Sequence, residues 1–427
     1  MKGNNRDCKD YKEMVKVLDA MLQHRRSRPT NKMDELYYEL LLSYHQRVLQ
    51  AVEEGNPIIA HTTLTPSEII YAMDLVPMHL ENTAMALPIT LKKAEECLNV
   101  AKSFGLTVEV CSAHRLMAAL FINNLVPPVN AVIWSNQVCD NTAKCGDIPR
   151  EFYGYPGFFL DVPYRTTQKE VNYLVQQLKE MISFLEETTQ RKLNWDRLKQ
   201  AVGYTREVIR LQHEINELAK VVAMPNRVIN NLMTVGILYY GTPEAVHYYQ
   251  ATLNLLREWL EKGNAPLPTY RLLALFIPPQ HSLKVVDWME REFGAYIITN
   301  PYCVFWGELE MDPERPLESI ARKSMTAPIC QSMLGPADAG VVEVTRQCVR
   351  DYKLEGAIYW AHIGCRQACA LIRTMKDTLK KTGIPMVTLD IDLCDPSYTS
   401  TEELQDKLES FFEILESTKA EKVTTLS

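Results

Sequence analysis

The apolar positions of this chain change their period several times, and those changes divide it before any chemistry is considered. Over residues 11–52 they recur at helical spacing in a polar background and stop at Gly55-Asn56-Pro57. Short β-rich runs follow at 57–60, 107–110, 131–134 and 158–162, separated by stretches of helical period. From 168 to about 263 the β-runs vanish and long amphipathic patterns replace them, as at 171–185 and 195–222. The alternation resumes at 272–277, 296–299, 357–360 and 386–391 and closes in a helix over 401–415. Short strands alternating with helices build parallel sheets through crossover units. The pattern predicts an α/β protein with two doubly wound parallel-sheet domains of the Rossmann or flavodoxin kind, a helical insert and an N-terminal helical segment. The boundaries read as 1–55 for the N-terminal segment, 56–167 for the first α/β domain, 168–265 for the insert and 266–427 for the second α/β domain.

Helix starts are marked locally. Thr65-Pro66-Ser67-Glu68 offers a capping Thr, a Pro at the first helical position and a Glu three residues on; Asn194 precedes a long amphipathic run, and Ser400 with Glu403 forms another capping pair.

The bulk numbers then exclude whole classes. A chain of 427 residues, 46% hydrophobic and 23% charged, is neither disordered nor fibrous and has ample length for two or three cores. A formal net charge of -7 provides no broad positive field, so nucleic acid is not an expected partner. The first 26 residues mix Lys, Asp and Glu and lack the apolar core of a secretory signal. The most apolar stretch, 120–134, is short and broken by Pro127 and Pro128, so no membrane span is expected. The expected location is the cytoplasm.

Eleven cysteines are many for a cytoplasmic chain, where disulfides do not persist. Three of them share one kind of position. Cys111 follows the run 107–110 and opens the helical pattern 112–121; Cys139 follows 131–134 and opens 140–145; Cys365 follows 357–360 through Ala361-His362-Ile363-Gly364 and opens 366–380. Ligands of open parallel sheets collect where strands end and helices begin, and a helix N-terminus favours a thiolate. Soft thiolates select zinc, copper(I) or iron–sulfur clusters, so three converging at an interdomain cleft with one open position would suit a reactive metal site. Their separations, 28 residues (111 to 139) and 226 (139 to 365), match no compact zinc or ferredoxin motif. Each thiol alone has a plain reading as a packed small hydrophobe.

Other residues carry weaker signals. Cys369 and Cys145 lie close after two of the trio, and Cys303 and Cys330 follow Pro-marked loops; Cys8, Cys97, Cys348 and Cys394 carry none. Of nine histidines, His61, His114 and His362 sit beside candidate loops, with proton transfer or support of a ligand as their possible roles. Arg115 and Arg366 stand near two of the thiols, where they could offset cluster charge. There is no P-loop, no G-x-G-x-x-G, no H-E-x-x-H and no G-x-S-x-G. Any nucleotide-driven energy input must come from another protein.

Several segments in order, Cys111-Ser-Ala-His-Arg, Asn136-Gln-Val-Cys139-Asp, Phe159-Leu-Asp-Val-Pro163-Tyr, Glu355-Gly-Ala-Ile-Tyr-Trp-Ala-His-Ile-Gly-Cys365 and Gly383-Ile-Pro-Met-Val-Thr-Leu-Asp-Ile-Asp392, make the chain resemble the 2-hydroxyacyl-CoA dehydratase and benzoyl-CoA reductase superfamily. The resemblance runs from about 56 to 415 and includes Leu193-Asn-Trp-Asp-Arg-Leu in the helical insert. It implies a 4Fe-4S cluster held by Cys111, Cys139 and Cys365 between the two α/β domains, with the fourth iron open. It also implies pairing with a homologous second subunit or as a homodimer. A separate ATP-hydrolysing iron–sulfur activator would supply single electrons for delivery to a CoA thioester. On that resemblance the electron would make a ketyl radical anion, from which a poorly activated hydroxyl would leave.

Two departures qualify the resemblance. Where dehydratase α-type subunits carry Trp-Ser this chain has Ala60-His61, which makes His61 and Thr62 the candidate catalytic residues on that loop. Cys303 and Cys330 fall near additional cluster thiols of the double-cubane reductases, although Ile329-Cys330-Gln331 has one Cys in place of a close pair; an 8Fe-9S cluster would need Cys145, Cys348 or Cys369 as well. The readings are therefore an iron–sulfur dehydratase subunit, an activator-dependent reductase acting on an acyl-CoA or another small unsaturated substrate, or a non-catalytic cluster-binding electron-transfer subunit.

Overall fold

A computed structural model describes residues 8–27, 32–304, 306–307, 309–333 and 337–426. Among them, eight strands form two four-stranded parallel sheets. The first holds β1 (Ile58–His61), β2 (Val76–His79), β3 (Ala131–Ser135) and β4 (Gly157–Leu160) in the order β2-β1-β3-β4. The second holds β5 (Tyr270–Leu275), β6 (Ala295–Thr299), β7 (Gly356–His362) and β8 (Met386–Ile391) in the order β6-β5-β7-β8. The same winding thus occurs twice, and each sheet has a switch between its first and third strands, where ligands bind beyond the carboxyl ends. Every residue of β1, β3 and β7 is buried, as expected of central strands covered on both faces.

Two parts of the strand pattern differ from the sequence-based expectation. Residues 107–110 form a turn closed by Val110 N donating to Thr107 O at 3.1 Å, and Val108 is 47% exposed. These residues are β-formers that pair with no strand of either sheet, so propensity loses to tertiary context. Cys111 therefore opens a helix without following a strand. Conversely, β2 is absent from the periodic pattern because Val-Pro-Met-His contains Pro77, which is tolerated here only because β2 is an edge strand.

The helical parts follow their periodicity. The N-terminal pattern forms two helices, Lys9–Ser27 and Lys32–Glu54, packed on one another. The insert comprises helices Gln168–Thr189, Trp195–Ala219, Asn226–Tyr239 and Pro243–Lys262. Asn194 caps the second of these by accepting from Arg197 N at 3.0 Å, and Ser400 accepts from Glu403 N at 3.0 Å to open helix Thr401–Leu426. Among the described residues no helix is long and apolar enough to cross a membrane.

The expected cap at Thr65 does not form: helix Ser67–Ala72 has no side-chain cap and Thr65 Oγ1 has no hydrogen-bond partner. Glu68 has instead turned inward. It pairs with Lys323 of helix Pro316–Thr326, accepts from Thr205 Oγ1 at 2.9 Å, and lies against Gly241, where a Cβ would come within 2.9 Å of its Cγ. Lys323 Nζ also sits 4.6 Å from the Tyr240 ring centroid. This buried pair ties three regions: the first sheet's loop, the insert and the second half.

Removing one partner of a buried ion pair strands the other charge, at a cost of about 3–5 kcal/mol. Lys323→Met is expected to lower the unfolding free energy by that amount in urea titrations, while Glu68→Gln with Lys323→Met recovers most of the loss. A single variant as stable as the parent would show that the pair contributes nothing.

Candidate active site

The carboxyl ends of seven strands open onto one cavity of about 170 Å³. Thr63 lies beyond β1, His79 ends β2, Cys139 lies beyond β3, Ile277 beyond β5, Tyr302 beyond β6, Cys365 beyond β7 and Leu393 beyond β8, and all of them line it. Helix Asn226–Tyr239 closes the space with Met233, Thr234, Ile237 and Leu238. The insert thus acts as a roof over two sheet switch points.

Cys111, Cys139 and Cys365 meet in this cavity and are the chain's only half-buried cysteines; seven others are buried and Cys369 is exposed. Each occupies the N-cap position of the helix it opens: Ser112–Ile122, Asp140–Cys145 and Arg366–Lys381. Ala368 N donates to Cys365 Sγ at 3.4 Å, and Thr142 Oγ1 lies 3.5 Å from Cys139 Sγ.

What brings thiols of both halves together is a set of contacts immediately behind Cys111. Arg115 NH2 donates to Asp392 Oδ2 at 3.1 Å and Arg115 Nε to Val110 O at 3.0 Å, with both charged side chains buried. Cys394 N donates to Ser112 Oγ at 3.0 Å. Asn141 Nδ2 donates to Gly364 O at 3.4 Å. Gly364 itself leaves no room: a Cβ there would stand 2.7 Å from Cys111 Cα and 2.8 Å from Cys111 N. A glycine is needed because one backbone presses on another.

Beside the thiols lies a buried polar network that the sequence patterns did not reveal. Glu81 accepts from Thr63 N at 3.1 and 3.2 Å and faces His79 Nδ1 at 3.8 Å and His114 Nε2 at 3.7 Å. His114 Nε2 also lies 3.1 Å from Thr142 Oγ1, which extends the network to Cys139. Burial would raise the Glu81 carboxyl, but the hydrogen bond and charge of His114 prevail and hold it below the ordinary carboxylate value. Burial would lower His114, yet the Cys139 and Cys111 sulfurs and Glu81 raise it well above the ordinary histidine value. His79 Nδ1 accepts from Asn82 N at 3.0 Å, so the neutral ring carries its proton on Nε2, which has no protein partner. The missed signal was the spacing of His79 and Glu81 at the end of β2, hidden with that strand.

Other candidates fall elsewhere. His61 and Thr62 are buried behind the wall and do not line the cavity; His61 Nδ1 meets Thr62 O at 3.3 Å and its ring packs edge-on to His79 at 5.1 Å. Cys303 and Cys330 are likewise buried behind Tyr302 and Ile329, which do line it, and burial pushes the Cys330 thiol up to about 12. Arg115 is engaged by Asp392, and exposed Arg366 stands 3.8 Å from Asp140. His362 lines the cavity, with Nε2 held 2.7 Å from Ile277 O.

Among the described residues no three His, Cys, Asp or Glu side chains are grouped so as to hold a single metal ion. A cubane makes a different demand, since each thiolate binds a separate iron and the sulfurs stand farther apart. Three half-buried thiols from two halves around one cavity, with backbone N–H donation to sulfur at Cys365, fit that donor set.

Residues 62–415 match the family described as 2-hydroxyglutaryl-CoA dehydratase, D-component. One benzoyl-CoA reductase subunit, from Thauera aromatica, is 22% identical over 88% of this chain and 93% of its own length. The (R)-phenyllactyl-CoA dehydratase alpha subunit of Clostridium sporogenes is 20% identical over 86% and 91%. The (R)-2-hydroxyisocaproyl-CoA dehydratase alpha subunit of Clostridioides difficile is 21% identical over 89% and 95%.

Gly364→Ala should force the Cys111 and Cys365 loops apart. The expected result is a loss of about 1–3 kcal/mol in urea unfolding, the usual cost of overpacking; unaltered stability would mean the backbones separate freely. Acid sensitivity is a second consequence. Burial holds His61 down to about 3 and His45 and His362 down to about 4. Below the ordinary value of 6.5 the unfolded chain binds protons that these rings refuse. Their contribution, complete above pH 6.5, is lost as pH falls toward 4 and 3, at about 1.4 kcal/mol per pH unit for each ring. His114, with its raised value, opposes this in part. Unfolding free energy should fall from pH 6.5 to 4.5, and a flat profile over that range would contradict buried neutral rings.

Proposed function

The chain belongs to the 2-hydroxyglutaryl-CoA dehydratase D-component family, and from that premise we propose that it is the iron–sulfur catalytic subunit of a dehydratase-type enzyme acting on a CoA thioester. The observation that carries this reading is the meeting of three helix-start thiols from two halves in one apolar cavity beside an ionised carboxylate. Cys111, Cys139 and Cys365 would hold a 4Fe-4S cluster, leaving one iron without a protein ligand. When bound, such a cluster supplies single electrons at low potential.

The chain's own residues do the rest. The apolar wall excludes water and strengthens every charge interaction inside. His79 Nε2–H offers a buried donor to a substrate oxygen. Glu81, tied to Thr63 N and facing His114, stays ionised and anchors the orientation of the His114 ring. The absence of a P-loop in this sequence supports energy input from a separate ATP-hydrolysing activator. That the similar proteins are named as subunits supports assembly with a second, homologous chain.

A second reading, reduction of a CoA thioester without loss of water, is favoured by the similarity to a benzoyl-CoA reductase subunit. The burial of Cys303 and Cys330 outside the cavity supports a single cubane over a double one.

Anaerobic iron and sulfide analysis with EPR tests the proposal. About four irons per chain are expected, about eight would favour the double cubane, and none would overturn the reading. Cys365→Ser should lose the cluster absorption while keeping the parent's far-UV circular dichroism. Full iron content in that variant would remove Cys365 from the ligand set.

A further inference from the structure

The roof helix Asn226–Tyr239 is fastened at its two ends to different halves of the chain. At its carboxyl end, Tyr71 Oη donates to Leu238 O at 2.8 Å and Ser67 Oγ to Tyr240 O at 2.9 Å, both from the first half. At its amino end the bonds converge on Asn226. The Asn226 side chain donates to Val286 O at 2.9 Å and Ala295 O at 3.0 Å and accepts from Ile297 N at 2.6 Å. Its backbone N–H donates to the Glu290 carboxyl, on helix Lys284–Phe293. Pro225 precedes the roof and supplies no side-chain cap, so Glu290 takes the place of one. Of the bonds at this end, only the one to Glu290 involves an ionisable group.

That carboxyl sits in poor surroundings for a charge. The cation beside it, Arg227, is already held by Asp287 through two hydrogen bonds of 2.6 Å. Asp287 itself is a like charge on the same helix, β6 brings the neutral phenol of Tyr296, and helix Thr401–Leu426 stacks Phe412 on Phe293. From the N-terminal helices, Asp34 and Tyr38 act on Arg227. Burial, aided by Asp287 and opposed by Asn226 N–H and Arg227, pushes the carboxyl up from 4.5 to about 7. The same first turn walls a second chamber of about 330 Å³, between Arg227 and Asn231 of the roof and Tyr37 and Tyr38 of the N-terminal helices. Asn82, Met85 and Thr234 line both this chamber and the cysteine cavity.

We propose that Glu290 is a proton-operated latch on the roof: protonated, it keeps the first turn seated on the second half, and ionised, it draws toward water, lifts that turn and opens the second chamber. The three side-chain bonds of Asn226 act at every pH, and Glu290 biases the balance. Linkage gives the direction. The seated carboxyl holds its proton more tightly than a solvated one, so seating is favoured at low pH and loses ground as pH rises from 4.5 through about 7. The latch requires neither a particular substrate nor a bound cluster, so it goes beyond the function proposed above and fails separately from it.

Hydrogen exchange of the amides at 226–228 in the anaerobically purified holoprotein, corrected for the intrinsic pH dependence of exchange, tests the latch. Opening of the first turn is expected to rise about tenfold from roughly pH 5.5 to 7.5, while the amides of Leu238 and Tyr239 at the far end stay level. Glu290→Gln, a neutral side chain of the same shape, should flatten the profile at the seated level. A flat parent profile overturns the latch. So does a slope that survives in folded Glu290→Gln, or one that appears equally at Leu238 and Tyr239. If Glu290→Gln does not fold, the parent's profiles at the two ends of the roof decide alone.

Discussion

The buried pair of Arg115 and Asp392 is the contact on which the cavity's geometry depends. It joins the helix opened by Cys111 to the end of β8, so it crosses between the halves that carry the thiols. A buried pair is weak evidence for stability, because desolvation of both charges offsets much of their attraction. Its value here is positional. Asp392 Oδ1 also accepts from Cys394 N and Asp395 N, both at 2.9 Å, and Arg115 Nε reaches Val110 O, so the pair has few ways to reorient. With Gly364 pressed on the Cys111 backbone, the contact sets how far Cys365 stands from the other two thiols.

Two strained residues lie at the same place. Val138, immediately before Cys139, has φ of 72°, and Phe276, just beyond β5, has φ of 64°. Both line the cavity. A β-branched residue in the left-handed region is a genuine outlier, costing about 1–3 kcal/mol and surviving only where its surroundings over-determine it. At Phe276 the surroundings are visible: its ring stacks on Tyr302 at 4.1 Å between centroids and meets Tyr359 edge-on at 5.4 Å, and its carbonyl accepts from Asn300 Nδ2. The second half thus stabilises an unfavourable backbone in order to turn the chain sharply at a strand end.

Much of this was legible in the sequence. Periodicity located seven of the eight strands and the helical insert, because central parallel strands and amphipathic helices leave strong patterns. It failed at β2, where Pro77 hid an edge strand, and at 107–110, where β-forming residues face solvent. The trio of thiols was visible as helix-opening positions, a local property that survives the loss of the strand before Cys111. Thr65 and Glu68 misled because a capping-box spelling cannot reveal that Lys323, 255 residues away, competes for the carboxylate. Glu81 and His79 escaped for the same reason as β2. Long-range partners and depth are tertiary properties: His61 and Thr62 fall on the wall's far side, while neighbouring Thr63 reaches the cavity.

The protonation of Cys365 bears on why so much rigid structure surrounds it. Burial pushes Cys365 up to about 12, so without metal it is a neutral thiol and a good neighbour for an apolar wall. A metal ligand must be a thiolate, so binding has to displace that proton, and the displacement costs free energy at neutral pH. If the two halves also had to be brought together at that moment, binding would carry the ordering cost as well. The Arg115–Asp392 pair, the Ser112–Cys394 contact and the Gly364 close approach are formed by the chain alone. The fold therefore bears the cost of assembly, and a metal bound as proposed would not.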